Sequence, residues 1–420
     1  MKVLHINQSD ISGGAAIAGY RLHKELLKQG VNSKLLVGNL QTDDEEVNLS
    51  PRRYRLENQL GRFTSRLGFN HLNYFGSFDI PKHRFFQECD LLNFHNLHFA
   101  GFSYMAIPKL TKSKPAIFTL HDMWSFTGHC AYSFDCNRWQ NGCGSCPYPE
   151  TIPAIKRDTT RWEWKFKNWV YRNSDLVIVS PSKWLAQQAK KSILNQFSIH
   201  HIPYGIDTDI YKPLDNKLSR SILGIPLQKK VLLFCAVKLN EPRKGGDLLI
   251  KSLSSLPEKL KKECILITLG KPYSALDKST DIETIHLGYI TNDRIKAIVY
   301  SSADLFLLPT RADNLPVVLQ ESMACGTATV SFRVGGVQDL VRPNVTGYLA
   351  QEENIEDFSK GIEVLLKDDK LRYEMGLNCR LIALEEYSSK LQAKRYLNLY
   401  RALLNRKSNS NQLTQLSSSI

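Results

Sequence analysis

Short apolar runs alternate with stretches of helical periodicity along most of the chain. The first run, residues 3–6, leads through a glycine turn at residues 12–15 into a helical pattern over residues 15–29, which ends before Gly30. A second run at residues 33–37 completes a strand–helix–strand unit, which is typical of a parallel sheet. The same pattern predicts further strands at residues 91–94, 116–120 and 176–179.

A second series of strands begins after residues 202–207, where Pro203 and Gly205 indicate a hinge. Strands are predicted at residues 231–237, 264–269, 284–287, 304–308 and 329–332, with helical patterns between them. A chain of 420 residues is long enough for two domains. We therefore predict two doubly wound α/β domains in tandem, residues 1–202 and 203–386, then a helix near residues 391–404 and a polar, disordered tail over residues 407–420.

The charge of the chain is unevenly distributed. Residues 1–200 carry 25 basic and 16 acidic side chains, residues 201–385 carry 24 of each, and residues 386–420 carry six and one. The net charge of +14 therefore lies on the first half and the tail, which indicates that one domain faces an anionic surface. No apolar run approaches the roughly 18 residues of a membrane span, and the N-terminus enters a strand directly, so we expect no signal peptide and a cytosolic location.

Gly13 and Gly14 lie between the first strand and the first helix, where backbone N–H groups and the helix dipole could hold a phosphate. An ordinary turn between strand and helix is the alternative interpretation. The turn is not G-x-G-x-x-G, and residues 36–39 contain no acidic residue to hold an NAD ribose. A dehydrogenase is therefore disfavoured.

Three cations follow the first strand of the second domain, namely Lys238, Arg243 and Lys244. Cations at the carboxyl edge of a parallel sheet lie where such folds bind ligands, and they could stabilise a departing diphosphate. The alternative is a solvated basic loop. Further along, Asp313 is predicted in a loop and Glu321 about two turns into the next helix, and each carboxylate could hold a pair of sugar hydroxyls.

His121 follows the predicted strand at residues 116–120, so it could reach a cleft at the end of the sheet. A buried or surface histidine without a role is the alternative. His95, Asn96 and His98, which follow another strand, are less specific candidates.

Ser50 and Pro51 begin a predicted helix whose apolar and basic residues fall on separate faces. A basic amphipathic helix suits an anionic membrane surface, whereas an ordinary core-packing helix is the alternative. The aromatic and basic stretch at residues 161–169 could belong to the same surface or pack as a helix. The residues of the amphipathic pattern are Leu56, Leu60, Phe63 and Leu67, with Arg55, Arg62 and Arg66 beside them.

Four of the nine cysteines cluster within seventeen residues, at Cys130, Cys136, Cys143 and Cys146. The last two form a C-x-x-C pair, which is half of a common zinc site, but the first two are spaced too widely for a standard finger. A structural metal, reduced thiols and disulfides all remain open. No ligand set for a catalytic metal is evident.

Together these residues resemble the GT-B glycosyltransferases, and specifically family 4, the retaining, sugar-nucleotide-dependent enzymes of polysaccharide and lipid-glycan synthesis. The E-x7-E motif of that family corresponds to Asp313 and Glu321, with aspartate at the first position. Its R-x5-K pair corresponds to Lys238 and Lys244, where lysine lacks the bidentate fork of arginine and Arg243 could compensate. Gly335, Gly336 and residues 346–348 also match.

The resemblance implies two Rossmann-like domains facing a cleft, with a helix at about residues 387–406 packing back on the first domain. It implies a same-face displacement that requires no metal or other cofactor. The residues to which it assigns roles are Gly13 and Gly14 at the donor phosphates, Lys238 and Lys244 at the diphosphate, Glu321 at the ribose, Asp313 with the backbone of Asn314, Leu315 and Pro316 at the transferred sugar, and His121 near the reacting carbon.

We therefore predict a retaining glycosyltransferase that moves a hexose from a nucleotide diphosphate-sugar to a polyprenyl-linked or glycan acceptor. An exopolysaccharide or O-antigen pathway at the inner face of the plasma membrane is the expected setting. One alternative is a sugar-nucleotide epimerase on the same fold. Another is a nucleic-acid-binding protein that uses the basic half, although the sequence contains no recognised binding module. A third is a catalytically inactive sugar-nucleotide-binding scaffold, which the replacements at Asp313 and Lys238 leave open.

Overall fold

Seven strands form the sheet of the first unit in this computed structural model, which describes residues 1–271 and 273–417, without the side chains of residues 277, 278 and 407–417. The strands are β1 (Lys2–Ser9), β2 (Asn32–Asn39), β3 (Val47–Leu49), β4 (Leu91–Phe94), β5 (Ala116–Thr119), β6 (Val177–Ser180) and β7 (Ile199–His201). All neighbouring strands are parallel, in the order β3-β2-β1-β4-β5-β6-β7. Parallel pairing requires the crossover helices that the alternating pattern predicts.

Within the described residues, six α-helices connect these strands: α1 (Gly14–Lys28), α2 (Tyr54–Arg66), α3 (Arg84–Glu88), α4 (Ile107–Ser113), α5 (Thr160–Arg172) and α6 (Lys183–Lys190). The larger hydrophobic cluster of this unit includes Phe94 and Phe118 from the sheet, and Val170 from α5 packs with them. A second cluster contains Ile117 of β5 together with Leu22 and Leu26 of α1. The sheet is thus covered on both faces, as doubly wound sheets are.

In the part of the second unit that the structure describes, six parallel strands form the sheet: β8 (Lys230–Lys238), β9 (Cys264–Lys271), β10 (Glu283–His286), β11 (Leu305–Leu308), β12 (Thr329–Phe332) and β13 (Gly347–Ala350). Their order is β10-β9-β8-β11-β12-β13. The helices are α7 (Asn216–Ile222), α8 (Gly246–Ser254), α9 (Glu258–Glu263), α10 (Ala275–Ser279), α11 (Asp293–Ser302), α12 (Val317–Ala324), α13 (Val337–Leu340), α14 (Ile355–Lys367) and α15 (Asp369–Glu386).

The last helix, α16 (Ser389–Ser417), belongs to the first unit, which comprises Met1–Pro203 and Lys390–Ile420, whereas the second unit is Tyr204–Ser389. Its Tyr396 and Tyr400 are buried in the second hydrophobic cluster of the first unit. Tyr400 Oη accepts a hydrogen bond of 2.9 Å from Asn93 Nδ2. The helix is longer than the predicted residues 391–404 and enters the stretch predicted to be disordered; residues 418–420 lie outside the described residues.

The predicted strands over residues 91–94 and 329–332 have the same bounds in the structure, and the predicted first helix differs by one residue at each end. Three strands were not predicted, namely β3, β7 and β13. Each has three or four residues, which is too short for a period-2 pattern to appear. Among the described residues, no helix combines the length and the apolar character that crossing a membrane requires.

Candidate functional site

Strand β8 lies at the point where the strand order of the second sheet reverses, because β9 pairs with one of its edges and β11 with the other. Ligands of open parallel sheets bind outside the carboxyl ends of the strands at such a point. The loop after β8 carries Arg243 and Lys244, and the loop after β11 carries Asp313. The fold therefore brings two of the three predicted cations and the first predicted carboxylate together.

Asp313 is bound by both cations. Its Oδ2 accepts a hydrogen bond of 2.7 Å from Lys244 Nζ, and its Oδ1 accepts one of 3.1 Å from Arg243 Nη1. Thr310 Oγ1 also lies 3.2 Å from Asp313 Oδ2. Arg243 is further engaged by Glu241 at 3.0 Å and by the Ala312 carbonyl at 2.8 Å. Its guanidinium therefore connects the two loops as well as contributing positive charge.

The protonation of this cluster follows from its burial and its pairing. Burial alone would raise the pKa of Asp313, but Lys244 and Arg243 outweigh it and hold that pKa below its usual value. Burial and the neighbouring Arg243 guanidinium lower the pKa of Lys244, which the Asp313 carboxylate opposes. The cluster thus favours a charged carboxylate and a lysine that binds its proton less tightly than an exposed lysine does.

Two glycines let these loops pack tightly. Gly245 has φ +72°, and a Cβ there would lie 1.9 Å from the Pro309 carbonyl oxygen. Gly335, in the loop after β12, has φ +47°, and a Cβ there would lie 2.1 Å from the Asp313 carbonyl oxygen. A larger residue at either position would push apart the backbone segments that hold Asp313 and Lys244.

Glu321 is the fifth residue of α12, at the start of the second turn. The prediction that Glu321 lies about two turns into this helix therefore placed it too far along. Glu321 is 3% exposed. Tyr211 Oη lies 3.1 Å from Oε1, and Tyr300 Oη lies 3.0 Å from Oε2. Lys296 Nζ is 3.6 Å from Oε1. These partners hold the carboxylate from both of its oxygens.

The remaining residues of the second unit that are predicted to bind the sugar-nucleotide donor differ in exposure. Asn314 and Leu315 are buried, and Pro316 is the residue before the first turn of α12. Lys238 is exposed at the end of β8, after an irregular step in its pairing with β9. Lys238 is therefore more exposed than Lys244, whose side chain is paired with Asp313.

The helices that follow the switch-point strands begin without a side-chain cap. The residue before the first turn is Gly13 for α1, Gly245 for α8 and Pro316 for α12. The first N–H groups of these helices therefore donate no hydrogen bond to a capping side chain, and a phosphate or a hydroxyl could accept from them. At Gly13 and Gly14 an added Cβ would meet nothing within 4 Å, which leaves space for a ligand.

Asp10 fixes the turn before Gly13, and sequence reasoning missed it. Its Oδ2 accepts hydrogen bonds from the backbone N–H of Gln41 at 2.9 Å and of Thr42 at 2.7 Å. Its Oδ1 accepts from Ile11 N–H at 2.9 Å. Burial would raise the pKa of Asp10, but these donors together lower it, so the carboxylate stays charged. Through these hydrogen bonds, Asp10 links the loop after β1 to the loop after β2.

His121 lies two residues after the end of β5 and is buried. Its Nε2 lies 3.0 Å from Nδ1 of His95, which follows β4. The adjacent Asp122 is bound by His98 Nε2 at 2.7 Å and by Trp124 N–H at 2.9 Å. A cavity of about 10 Å³ borders His95, His121 and Asp122. The less specific candidates His95 and His98 are therefore direct neighbours of His121 and Asp122.

Helix α2 presents the apolar side of its amphipathic pattern to solvent. Tyr54 is 55% exposed, Leu56 43% and Phe63 63%, while Leu60 and Leu67 are partly buried. The three arginines of the pattern are exposed or partly exposed as well. The core-packing alternative is therefore wrong for Leu56 and Phe63. In the aromatic stretch of α5, Trp162 and Trp169 are also exposed.

All four clustered cysteines are free thiols, so the structure forms no disulfide among them. They line one cavity of about 20 Å³ together with His129, whose Nε2 lies 3.2 Å from Cys146 Sγ. Within the described part of the chain, no three His, Cys, Asp or Glu side chains are arranged to hold a metal ion. The loop that they form is otherwise closed by hydrogen bonds such as that from Gly128 N–H to Cys143 Sγ at 3.2 Å.

Two parallel-sheet α/β units, with cations and carboxylates at a strand switch point, define a glycosyltransferase of the GT-B fold. The family model "Glycosyltransferase Family 4" matches residues 12–210, and the model "Glycosyl transferases group 1" matches residues 215–381. The chain belongs to the GT-B glycosyltransferases of the family 4 type, and it is an enzyme of the transferase class. The predictions of fold class, family and enzyme class are confirmed.

Among similar proteins, WcaC of Escherichia coli (strain K12), named as a colanic acid biosynthesis glycosyl transferase, is 24% identical over 381 residues, which are 85% of this chain and 89% of WcaC. Sucrose-phosphate synthase from Thermosynechococcus elongatus has a TM-score of 0.70 at 16% identity, over 97% of this chain and 100% of that one. HepE of Anabaena, solved in complex with UDP-glucose, has a TM-score of 0.66 at 15% identity, over 96% and 100%. The structural likenesses show the fold.

Proposed function

We propose that the protein is a retaining glycosyltransferase that moves a hexose from a nucleotide diphosphate-sugar to a lipid-linked or glycan acceptor in cell-surface polysaccharide biosynthesis. The observation that carries the proposal is the Arg243, Lys244 and Asp313 cluster at the switch point of the second sheet. The name of WcaC, which assigns that relative to colanic acid biosynthesis, supports the polysaccharide setting. The UDP-glucose complex of HepE supports a sugar nucleotide as donor.

In this proposal Lys244 binds the donor diphosphate and stabilises it as it leaves. A lysine already held beside a carboxylate is positioned before the donor arrives, so little side-chain entropy is lost on binding. When the diphosphate binds the Lys244 ammonium, Asp313 loses one hydrogen-bond partner. Its carboxylate can then accept hydrogen bonds from hydroxyls of the transferred sugar. Exposed Lys238 and the backbone N–H groups at Gly13 and Gly14 add further contacts to the phosphates. These groups supply the positive charge, so the proposal includes no required cofactor.

Glu321 holds the ribose hydroxyls, with Tyr211 and Tyr300 fixing the orientation of its carboxylate. His121 contacts the transferred sugar from the first unit, and residues 314–316 contribute backbone groups to the same sugar. The leaving phosphate takes the proton of the acceptor hydroxyl while the new glycosidic bond forms on the same face, so the anomeric configuration is kept. The bond from the anomeric carbon to the phosphate oxygen breaks, and the nucleoside diphosphate leaves.

The proposal places the protein at the cytoplasmic face of an anionic membrane, where α2 is the contact. Leu56 and Phe63 are exposed on this helix beside Arg55, Arg62 and Arg66. Exposed apolar side chains flanked by cations match an anionic bilayer, which offers both hydrocarbon and negative charge. A polyprenyl-linked acceptor would lie in that same surface.

The experiment is a donor screen followed by product analysis. Thermal shift with UDP-, GDP-, ADP- and CMP-sugars identifies the donor base, because a ligand that binds the folded state raises its stability. Nuclear magnetic resonance of the product then reports the anomeric configuration. Transfer with retention, dependent on an acceptor, supports the proposal. An altered sugar released without any acceptor identifies an epimerase, and DNA binding without any response to a sugar nucleotide contradicts a glycosyltransferase role.

A further inference from the structure

Four large apolar side chains form an exposed row along α15, which we call the α15 stripe. The four are Tyr373 (68% exposed), Leu377 (54%), Leu381 (51%) and Leu384 (43%). Because an α-helix has 3.6 residues per turn, spacings of four, four and three residues bring them all onto one face. Single exposed apolar residues are ordinary, whereas a continuous row of this kind marks an interaction surface.

The opposite face of α15 supplies its packing within the second unit. Met375 and Cys379 are buried there. Gly376 allows a close approach to the turn after α12, since a Cβ at this glycine would lie 2.4 Å from the Gly326 carbonyl oxygen. Helix α12 therefore contacts the face of α15 that lies away from the stripe. A partner that covers the stripe leaves uncovered the helix that carries Glu321.

The charges of α15 do not suit an anionic bilayer. Three of the exposed charged residues of this helix are acidic and one is basic, so negative lipid headgroups would repel the set. The arginines beside the apolar residues of α2 have the opposite character. Apolar side chains with charges of both signs around them fit a protein partner, in which each charge can meet its opposite. The exposed charged residues of α15 are Asp369, Lys370, Glu374 and Glu385.

The α15 stripe is complementary to itself when two copies of the helix lie antiparallel. The midpoint of the stripe falls between Leu377 and Leu381, so an antiparallel second copy places one of these leucines opposite the other. The same pairing places Tyr373 opposite Leu384. Every apolar residue of the stripe thus meets an apolar residue of the second copy. An interface about a two-fold axis requires this self-complementarity, because both copies present the same surface.

The charges at the two ends of α15 fit the same antiparallel pair. Lys370 is the second residue of the helix and Glu385 is the seventeenth, so about 22 Å separate them along the helix axis. That distance is too great for an ion pair within one chain. An antiparallel second copy brings each Lys370 to the end of the other helix that carries Glu385. A parallel second copy would instead bring like charges together.

We propose that the protein forms a two-fold symmetric homodimer through the α15 stripe, with the two α15 helices antiparallel and Lys370 of each copy paired with Glu385 of the other. The partner that covers the stripe is therefore a second copy of this chain. None of the residues that the proposed function assigns to the donor lies in the stripe. The inference thus does not depend on the identity of the donor or of the acceptor.

Sedimentation equilibrium of the full chain tests for the dimer. We expect a monomer–dimer equilibrium in the wild type. Leu377→Glu with Leu381→Glu should weaken dimerisation at least about a hundredfold, because carboxylates would be buried against an apolar partner. Leu218→Glu with Ile222→Glu, at similarly exposed positions of α7, is the matched control and should dimerise like the wild type. Equal weakening in the two variants would overturn the inference.

A bilayer as the occupant of the stripe would give a different pattern. The wild type would then remain monomeric without lipid, and Leu377→Glu with Leu381→Glu would lose sedimentation with phosphatidylglycerol vesicles. Either a wild type that is monomeric over the whole concentration range or this pair of results would overturn the inference. Failure of every nucleotide sugar in the donor screen would contradict the proposed function and leave the dimer measurement standing.

A charge exchange tests whether the partner is an antiparallel second copy. Lys370→Glu should weaken dimerisation about tenfold, since two exposed ion pairs are lost by symmetry and like charges meet. Glu385→Lys should have a similar effect. The two changes combined in one chain should restore the wild-type dissociation constant, and contact within a chain cannot explain that rescue across about 22 Å. Additive weakening in the combined variant would contradict the antiparallel pair.

Discussion

Lys244 Nζ lies 2.7 Å from Asp313 Oδ2, so the two residues that the family pattern assigns to the diphosphate and to the sugar are bound to each other. Each therefore holds the other in place and shifts its protonation. A donor that bridges diphosphate and sugar would insert between partners that are already ordered. This pairing explains how a partly buried lysine and a buried carboxylate are tolerated at the edge of the sheet.

A double-mutant cycle should show this coupling. Lys244→Met leaves the Asp313 carboxylate buried with fewer partners, so we expect it to cost about 3 kcal/mol of unfolding free energy. Lys244→Met combined with Asp313→Asn should cost less than the sum of the two single changes, by about 1–3 kcal/mol. Scanning calorimetry of the full chain measures the changes. Strict additivity would show that the two residues are not coupled in solution.

Glu321→Gln should weaken donor binding more than it slows the chemical step. The amide keeps the volume but presents an NH2 group where a tyrosine hydroxyl or a ribose hydroxyl now finds an acceptor. We expect KM for the donor to rise about tenfold or more with a smaller change in kcat, because ribose contacts are equal in the ground and transition states. Tyr300→Phe is the control and should have a smaller effect. An unchanged KM in Glu321→Gln would remove Glu321 from the ribose site.

The first unit should lose stability in mild acid. Burial lowers the pKa of His23 and of His121 to about 4 and holds that of His5, His71 and His95 well below 6.5. The unfolded chain then binds more protons than the folded chain between pH 4 and 6.5, so stability is complete above pH 6.5 and falls below it. Each such imidazole contributes a loss of about 1.4 kcal/mol per pH unit in that window.

Tryptophan fluorescence can isolate this effect, because all six tryptophans lie between residues 124 and 184. Urea midpoints of the fluorescence transition at pH 7.5 and 5.5 give the pH dependence of this unit. His71→Gln removes one buried imidazole and should flatten that dependence, whereas His200→Gln, at an exposed position, should not. The same slope in His71→Gln as in the wild type would show that His71 is not a buried neutral group.

Helix α2 should bind anionic vesicles through its exposed apolar residues. Leu56→Gln with Phe63→Gln should reduce sedimentation with phosphatidylglycerol vesicles at least tenfold, because two apolar side chains lose their burial in the bilayer. Leu218→Gln with Ile222→Gln is the matched control, since these residues are 61% and 60% exposed on a helix of the second unit. Equal loss in both pairs, or none in either, would argue against α2 as the membrane contact.

Much of the fold could be predicted from the sequence, because buried parallel strands leave apolar runs such as residues 91–94 and 329–332. The loops with Lys244 and Asp313 were recognisable because each follows such a run. The pairing of these two residues was not predictable, since it depends on β8 and β11 being neighbours although 69 residues separate the partners. Nothing in a local pattern encodes that adjacency.

The contact of 2.8 Å between His5 Nδ1 and His95 Nε2 shows the same limit. His5 sits inside the apolar run of β1, where a single polar residue gives no periodic signal. It is 90 residues from His95, and only the strand order β1-β4-β5 brings them together. Asp10 and Tyr300 were missed for the same reason, because their partners lie in distant segments. The sequence showed the amphipathic pattern of α2, but it did not show whether other residues cover the apolar face of this helix.

The most direct test of the central claim is calorimetric titration of the nucleoside diphosphate found in the donor screen. Lys244→Met should weaken its binding about 30-fold, since a charged hydrogen bond to phosphate contributes roughly 2 kcal/mol. Lys251→Met, which removes an exposed lysine of α8, should bind like the wild type. Equal affinity of the wild type and Lys244→Met would contradict the account, because the diphosphate would then be held elsewhere.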